Sequence, residues 1–144
     1  AEAAFRLGLI EEARGDREAA EASYRRADQR GSAGAAFRIG LVLQERGHLK
    51  DAEAAWHRAD DRGSVDGALR IADICHQRDD VEGFFAALQR AAERGSEKAS
   101  LALQELVRGC GHLEGGPALI RRASQSSDPR VAAAALEALH DIDG

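Results

Sequence analysis

Aromatic residues are scarce in this 144-residue chain, at 4%, and proline and cysteine number two each. Because 44% of the residues are nonetheless apolar, much of that share is alanine. Alanine is the best helix former and lets backbones approach closely, so the composition suits packed helices. Val, Ile and Thr do not gather into alternating runs, which excludes a strand reading. The two prolines are Pro117 and Pro129. The cysteines, Cys75 and Cys110, form no CxxC and no spaced cluster, which argues against a disulfide framework and for a reducing, cytoplasmic setting. No apolar stretch reaches membrane-spanning length, and no secretory leader is visible. Charged residues of both signs are interspersed, at 31% with a net charge of −5. A nucleic-acid binder would show a basic face instead. The length suits one domain.

What is present is repetition. The segment from Phe5 to Ala36, FRLGLIEEARGDREAAEASYRRADQRGSAGAA, aligns without a gap on Phe37 to Ala68 at a spacing of 32. The frame continues through Leu69–Ser100 and Leu101–Ala132. Ala27, Ala59, Ala91 and Ala123 keep register, as do Arg26, Arg58, Arg90 and Arg122. Leu7, Ile39, Ile71 and Leu103 form an apolar column, and Gly31, Gly63 and Gly95 another column, with Ser127 in the fourth copy. A gapless period of this length is the signature of a repeat architecture.

Each copy reads as two helices. In the second, the first helix runs from Ser32 or Ala33 to Arg46, with Ala36, Ile39, Gly40 and Leu43 on one buried face. Gly47 stops it. The second helix carries Leu49, Ala52, Ala55, Trp56 and Ala59 on one face and stops at Gly63. Asp16 and Asp80 are N-caps for second helices, with His48 in their place in the second copy. Ser32, Ser64, Ser96 and Asp128 cap the helices that follow the inter-repeat turns. Gly8, Gly40 and Ala72 let helices approach, and Tyr24, Trp56, Leu88 and Ile120 are expected to fill space between hairpins. By register Cys75 is a buried core thiol. In the fourth copy Gly115-Gly116-Pro117 falls inside the second helix, which is expected to start late or kink. The residues from Val131 onward read as one further helix, with Pro129 in its first turn, covering the last hairpin with a polar outer face. The expected fold is therefore all-α: an α-solenoid of four 32-residue hairpins at about 1–31, 32–63, 64–95 and 96–127, with a capping helix at about 129–141.

The column Leu7-Gly8, Gly15, Ala20, Tyr24, Ala27 resembles the tetratricopeptide-repeat pattern. So does Ile39-Gly40, Gly47, Ala52, Trp56, Ala59. The shorter turn in RAAERGSEKAS, from Arg90 to Ser100, resembles the Sel1-like subgroup. The likeness spans the chain but weakens towards its end; Phe84 and Gly116 stand where that family has a small Ala. The resemblance implies a right-handed superhelix whose first helices line a concave groove that binds peptides or partner domains. It also implies where groove residues stand: Phe5, Arg6 and Leu9; Phe37, Arg38 and Leu41; Leu69, Arg70, Asp73 and His76; and Leu101, Glu105 and Arg108. The Lys and Asn of the family's carboxylate-clamp pattern are missing from these positions. Ala1-Glu2-Ala3-Ala4 matches the interior of a repeat after its Gly-Ser turn, so the chain is expected to be a fragment of a longer array or of a multidomain protein.

Arg6, Arg38 and Arg70 recur one copy apart and would form a ladder. Guanidinium groups grip carboxylates through paired N–H···O bonds. Beside Phe and Leu they point to a peptide that is partly apolar and partly acidic. The competing reading is local pairing, Glu2–Arg6 and Asp66–Arg70 at i, i+4, which leaves Arg38 without such a partner. The column from Arg26 to Arg122 reads as a solvated outer face near helix C-termini. His48, His57, His76, His112 and His140 have no metal-ligand spacing, and no nucleophile elbow, phosphate loop or HExxH is present. The expectation is a protein-interaction scaffold that is not an enzyme and needs no metal or cofactor. Its partner would be a protein or peptide with acidic groups, without nucleic acid or membrane. The alternatives are a structural spacer that self-associates through repeat ends and an accessory domain of a multidomain enzyme.

Overall fold

The computed structural model describes residues 1–143. Among them are nine helices and no strand: α1 Glu2–Ala13, α2 Arg17–Gln29, α3 Ala33–Glu45, α4 Leu49–Asp61, α5 Val65–Gln77, α6 Val81–Glu93, α7 Glu97–Gly109, α8 Gly116–Ala123 and α9 Pro129–Asp143. The chain divides into two compact units, Ala1–Ile71 and Ala72–Gly144, with the division inside α5.

Local signals set the helix ends. The Ala19 and Gly83 amides donate to the carboxylates of Asp16 and Asp80, at 3.1 and 2.9 Å. Ser32, Ser64 and Ser96 accept in the same way from Ala35, Gly67 and Ala99. Each bond satisfies an amide that the first turn leaves orphaned. His48 makes no such side-chain bond. Between hairpins the chain turns at Gly31 and Gly63, with φ of 93° and 95°, where a side chain would be strained. Asp79 adopts φ 57° one period after Gly47, a conformation that Asp tolerates better than most residues.

In the first unit α1 packs on α2, α2 on α3, and α3 on α4, the consecutive pattern of an α-solenoid repeat. Its core joins Ala4, Ala20, Tyr24, Ala27, Ala35, Ile39 and Ala55, with Phe5, Leu9 and Leu43 against it. Tyr24 and Trp56 pack against glycines of their own hairpins, and both also reach the next hairpin, Tyr24 in one core with Ala35 and Ile39 and Trp56 beneath Arg70. A Cβ placed on Gly8 would lie 2.5 Å from the Tyr24 ring, and one on Gly40 would lie 2.3 Å from the Trp56 indole. The glycines are there because the ring occupies the volume a side chain would need. Gly34 does the same across the repeat junction, where a Cβ would meet the Phe5 ring at 2.7 Å.

In the second unit α6 packs on α7, and α9 packs on both α7 and α8. Phe85, Leu103, Val107, Ile120 and Val131 are buried there. Pro117 has the effect expected of it. Val81 plus one period of 32 would start the helix at Leu113, but α8 begins at Gly116 and has 8 residues where α6 has 13. A Cβ on Gly116 would run into the Cys110 carbonyl. With α8 short, α9 takes over much of the cover of α7. It runs two residues past the expected end, and its exterior carries Leu136 and Ile142, so it is less polar than a cap was expected to be. Cys75 is half-buried, and Cys110 is the thiol that lies in the core; burial pushes the Cys110 thiol pKa up.

The ring-over-glycine packing gives a stability test. Gly40→Ala gains helix propensity of about 1 kcal/mol, but a rigid buried indole must move, which costs about 1–3 kcal/mol. We expect net destabilisation in urea titration, whereas Gly109→Ala, where an added Cβ meets nothing within 4 Å, should leave stability unchanged or slightly raised.

Candidate functional site

In the first unit α1, α3 and the start of α5 place Phe5, Leu9, Phe37, Leu41 and Leu69 half-buried. These side chains border the core without being enclosed by it. The three arginines among them have different surroundings. Arg6 is exposed and bonds Glu2 at 2.7 Å, the i, i+4 pair anticipated from sequence. Arg38 is half-buried and stands 3.8 Å from Glu12, a partner on the neighbouring hairpin that i, i+4 reasoning does not reach. Arg70 lies over the rings of Phe37 and Trp56, 6.0 and 5.4 Å from their centroids. That is cation–π range, where the flat guanidinium keeps its in-plane N–H donors available. The Trp56 Nε1 is buried and has no hydrogen-bond partner among the described residues.

The remaining predicted residues belong to the second unit. Asp73 and His76 on α5 and Arg108 on α7 are exposed. The His76 ring packs 4.9 Å from the Phe84 ring. Leu101 and Glu105 are exposed as well.

The geometry adds a cleft of about 650 Å³ between the first two hairpins. Ala20, Tyr24, Leu41 and Val42 supply its apolar wall; of the predicted residues it includes only Arg38 and Leu41. Glu12 accepts from the Tyr24 hydroxyl and faces Arg38. Burial and the Glu12 carboxylate push the tyrosine pKa well above its ordinary value, so Tyr24 acts as a hydrogen-bond donor and not as a base. Glu21 is gripped by Arg46 through two bonds, at 2.9 and 2.5 Å. Nearby, Asp28 accepts from Arg58 at 2.7 Å and from Arg62 at 2.6 Å. Arg58 is therefore a tie between successive hairpins and not a member of an idle outer face. Arg122 likewise bonds Glu82 at 2.5 Å and lies over the Phe85 ring.

These ties were missed because attention to i, i+4 pairs confines the search to one helix. A signal was present: Glu21 recurs as Glu53, Asp28 as Asp60, Arg46 as Arg78, and Arg58 and Arg62 as Arg90 and Arg94, each one period on. Opposite charges that recur together at the repeat period mark a junction. Chemically, the cleft and the first-helix face hold paired charges and apolar surface. No cluster of three or more potential metal ligands occurs among the described residues, and no helix among them is long and apolar enough to cross a membrane. A scan of family models finds no match to the chain, and a search of curated proteins finds none either.

The ion pairs set an acid limb. The Arg46 hydrogen bonds hold the Glu21 carboxyl below its usual range. Burial raises the Asp28 pKa, but the Arg58 and Arg62 hydrogen bonds outweigh it and leave the value lowered. A depressed folded pKa gives stability that is present above the unfolded value, about 4, and is lost as pH falls through the folded one. We expect thermal stability to decline below about pH 4, and Asp28→Asn to flatten that decline and to cost about 1 kcal/mol at neutral pH.

Proposed function

We propose that this chain is a protein-interaction module of the tetratricopeptide or Sel1-like kind, which holds a peptide or partner segment against its first-helix face and performs no chemistry of its own. The observation that carries the reading is the recurrence of half-buried apolar residues on that face of the first unit, Phe5 and Leu9, Phe37 and Leu41, then Leu69, with Arg38 and Arg70 among them. Surface that is apolar, repeated and left at the border of the core is what a binding face needs. Arg38 is loosely held at 3.8 Å from Glu12 and is free to exchange that carboxylate for one on a ligand. Arg70, braced on two rings, is pre-oriented, so little side-chain freedom is lost on binding. The ligand that fits is an extended segment alternating large apolar and acidic side chains, bound without metal or cofactor. Nucleic acid fits poorly, given the mixed charge. The two cysteines fit a reducing, cytoplasmic setting.

The test is selection from a displayed peptide library against the chain and against an Arg38→Glu/Arg70→Gln variant checked for helicity by circular dichroism. Enriched peptides should combine acidic and large apolar residues, and their affinity should fall about tenfold or more in the variant, the loss expected for a charge-assisted contact. Enrichment of basic peptides, or equal binding by both proteins, would sink the reading.

A further inference from the structure

Beyond the first-helix face, the first unit has a second surface whose design can be read from the junction next to it. At the junction of the first two hairpins, Ala35 and Ile39 on α3 are buried against α2. Around them Arg46 grips Glu21, and Arg58 and Arg62 grip Asp28. Arg62 also donates to the Ser32 carbonyl at 3.1 Å. The second hairpin thus meets its neighbour with a small apolar patch framed by three arginines, and the neighbour answers with two carboxylates seven residues apart.

One period earlier, the same set stands on the opposite side of the first hairpin. Ala3, Leu7 and Ile10 are the counterparts of Ala35, Ile39 and Val42; Arg14, Arg26 and Arg30 are the counterparts of Arg46, Arg58 and Arg62. Here nothing covers them. Leu7 is 45% exposed and Ile10 48%, while Ile39 is 2% exposed. Among the described residues Arg14 and Arg30 have no ion-pair partner, and Arg26 has only the Ser23 hydroxyl, at 2.9 Å. The face departs from its counterpart at Glu11 and Ser23, which replace Leu43 and Ala55. Those two bond each other at 2.5 Å, so this polar portion is satisfied without a partner.

We propose that this face docks a helix on a polypeptide segment outside residues 1–144 that carries Glu and Asp seven residues apart beside small residues, the pattern of Glu21 and Asp28 on α2. The positive frame selects the acidic pair, and Leu7 and Ile10 supply the apolar contact. A second copy of the chain does not meet the requirement. Its Glu21 and Asp28 are engaged by Arg46, Arg58 and Arg62, and its Glu53 and Asp60 have partners too. The equivalent positions further along are Phe85 with Ala92 and Pro117 with Ser124, which carry no charge.

The probe is an additional copy of residues 1–32 joined ahead of Ala1 of the full chain, which keeps the 32-residue register and presents an α2 pattern to the face. The extended protein should unfold in one transition, with Tm raised by about 5 °C or more, and the amides around Leu7 and Ile10 should exchange more slowly. Glu21→Lys and Asp28→Lys in the added copy should remove most of the gain, and Arg14→Glu, Arg26→Glu and Arg30→Glu in the host should restore it. An added copy that unfolds separately, or a gain indifferent to charge reversal, overturns the proposal. So does sedimentation showing the parent chain as a dimer that Leu7→Lys dissociates, because a second copy would then be the occupant.

Discussion

In each of the first two hairpins a large ring packs against the bare backbone of a glycine, Tyr24 at Gly8 and Trp56 at Gly40. This contact sets the separation of the paired helices, and other features follow from it. Helices held this close leave room between them for little beyond alanine, which is why Ala20, Ala27, Ala52 and Ala59 are buried at recurring positions. A core so poor in large side chains stabilises each hairpin weakly by area burial. Each hairpin therefore depends on its neighbours, and repetition is a condition of folding.

Charge supplies what small apolar residues lack, which is a defined register between hairpins. Alanine surfaces slide past one another at little cost, because one methyl resembles the next. The bidentate hold of Arg46 on Glu21 and the double hold on Asp28 fix both ends of one junction. Such pairs at partly exposed sites add modest stability. Their geometric demand is stricter than their energy suggests, since a planar guanidinium accepts few orientations of a carboxylate.

The repeat period, the helix pairs, the capping serines and aspartates and the late start of α8 were legible in the sequence, because each rests on local chemistry within a few residues. Pro117 cannot sit mid-helix, and Ser32 needs only the amide three residues on. The direction in which Tyr24 and Trp56 point was not legible, because register places a residue on a face without saying which neighbour it meets. Arg38 seemed unpartnered for the same reason. Glu12 is remote by helix spacing and close in space. Cys75 shared a column with the buried Val107 yet is half-buried, while Cys110, at the end of α7, is the buried thiol. Of the candidate site, the residue types and their half-buried positions were readable; the pairing of each arginine was not.

Trp56 is the chain's single tryptophan, and it belongs to the first unit. Its indole is enclosed, its N–H meets no acceptor among the described residues, and a guanidinium rests on its face. An indole so shielded from water emits at short wavelength and shifts to the red once its hairpin opens. Intrinsic emission therefore follows one hairpin of the molecule, while far-ultraviolet dichroism sums every helix. Any gap between the two signals during denaturation would measure how far the units melt independently, with no label needed.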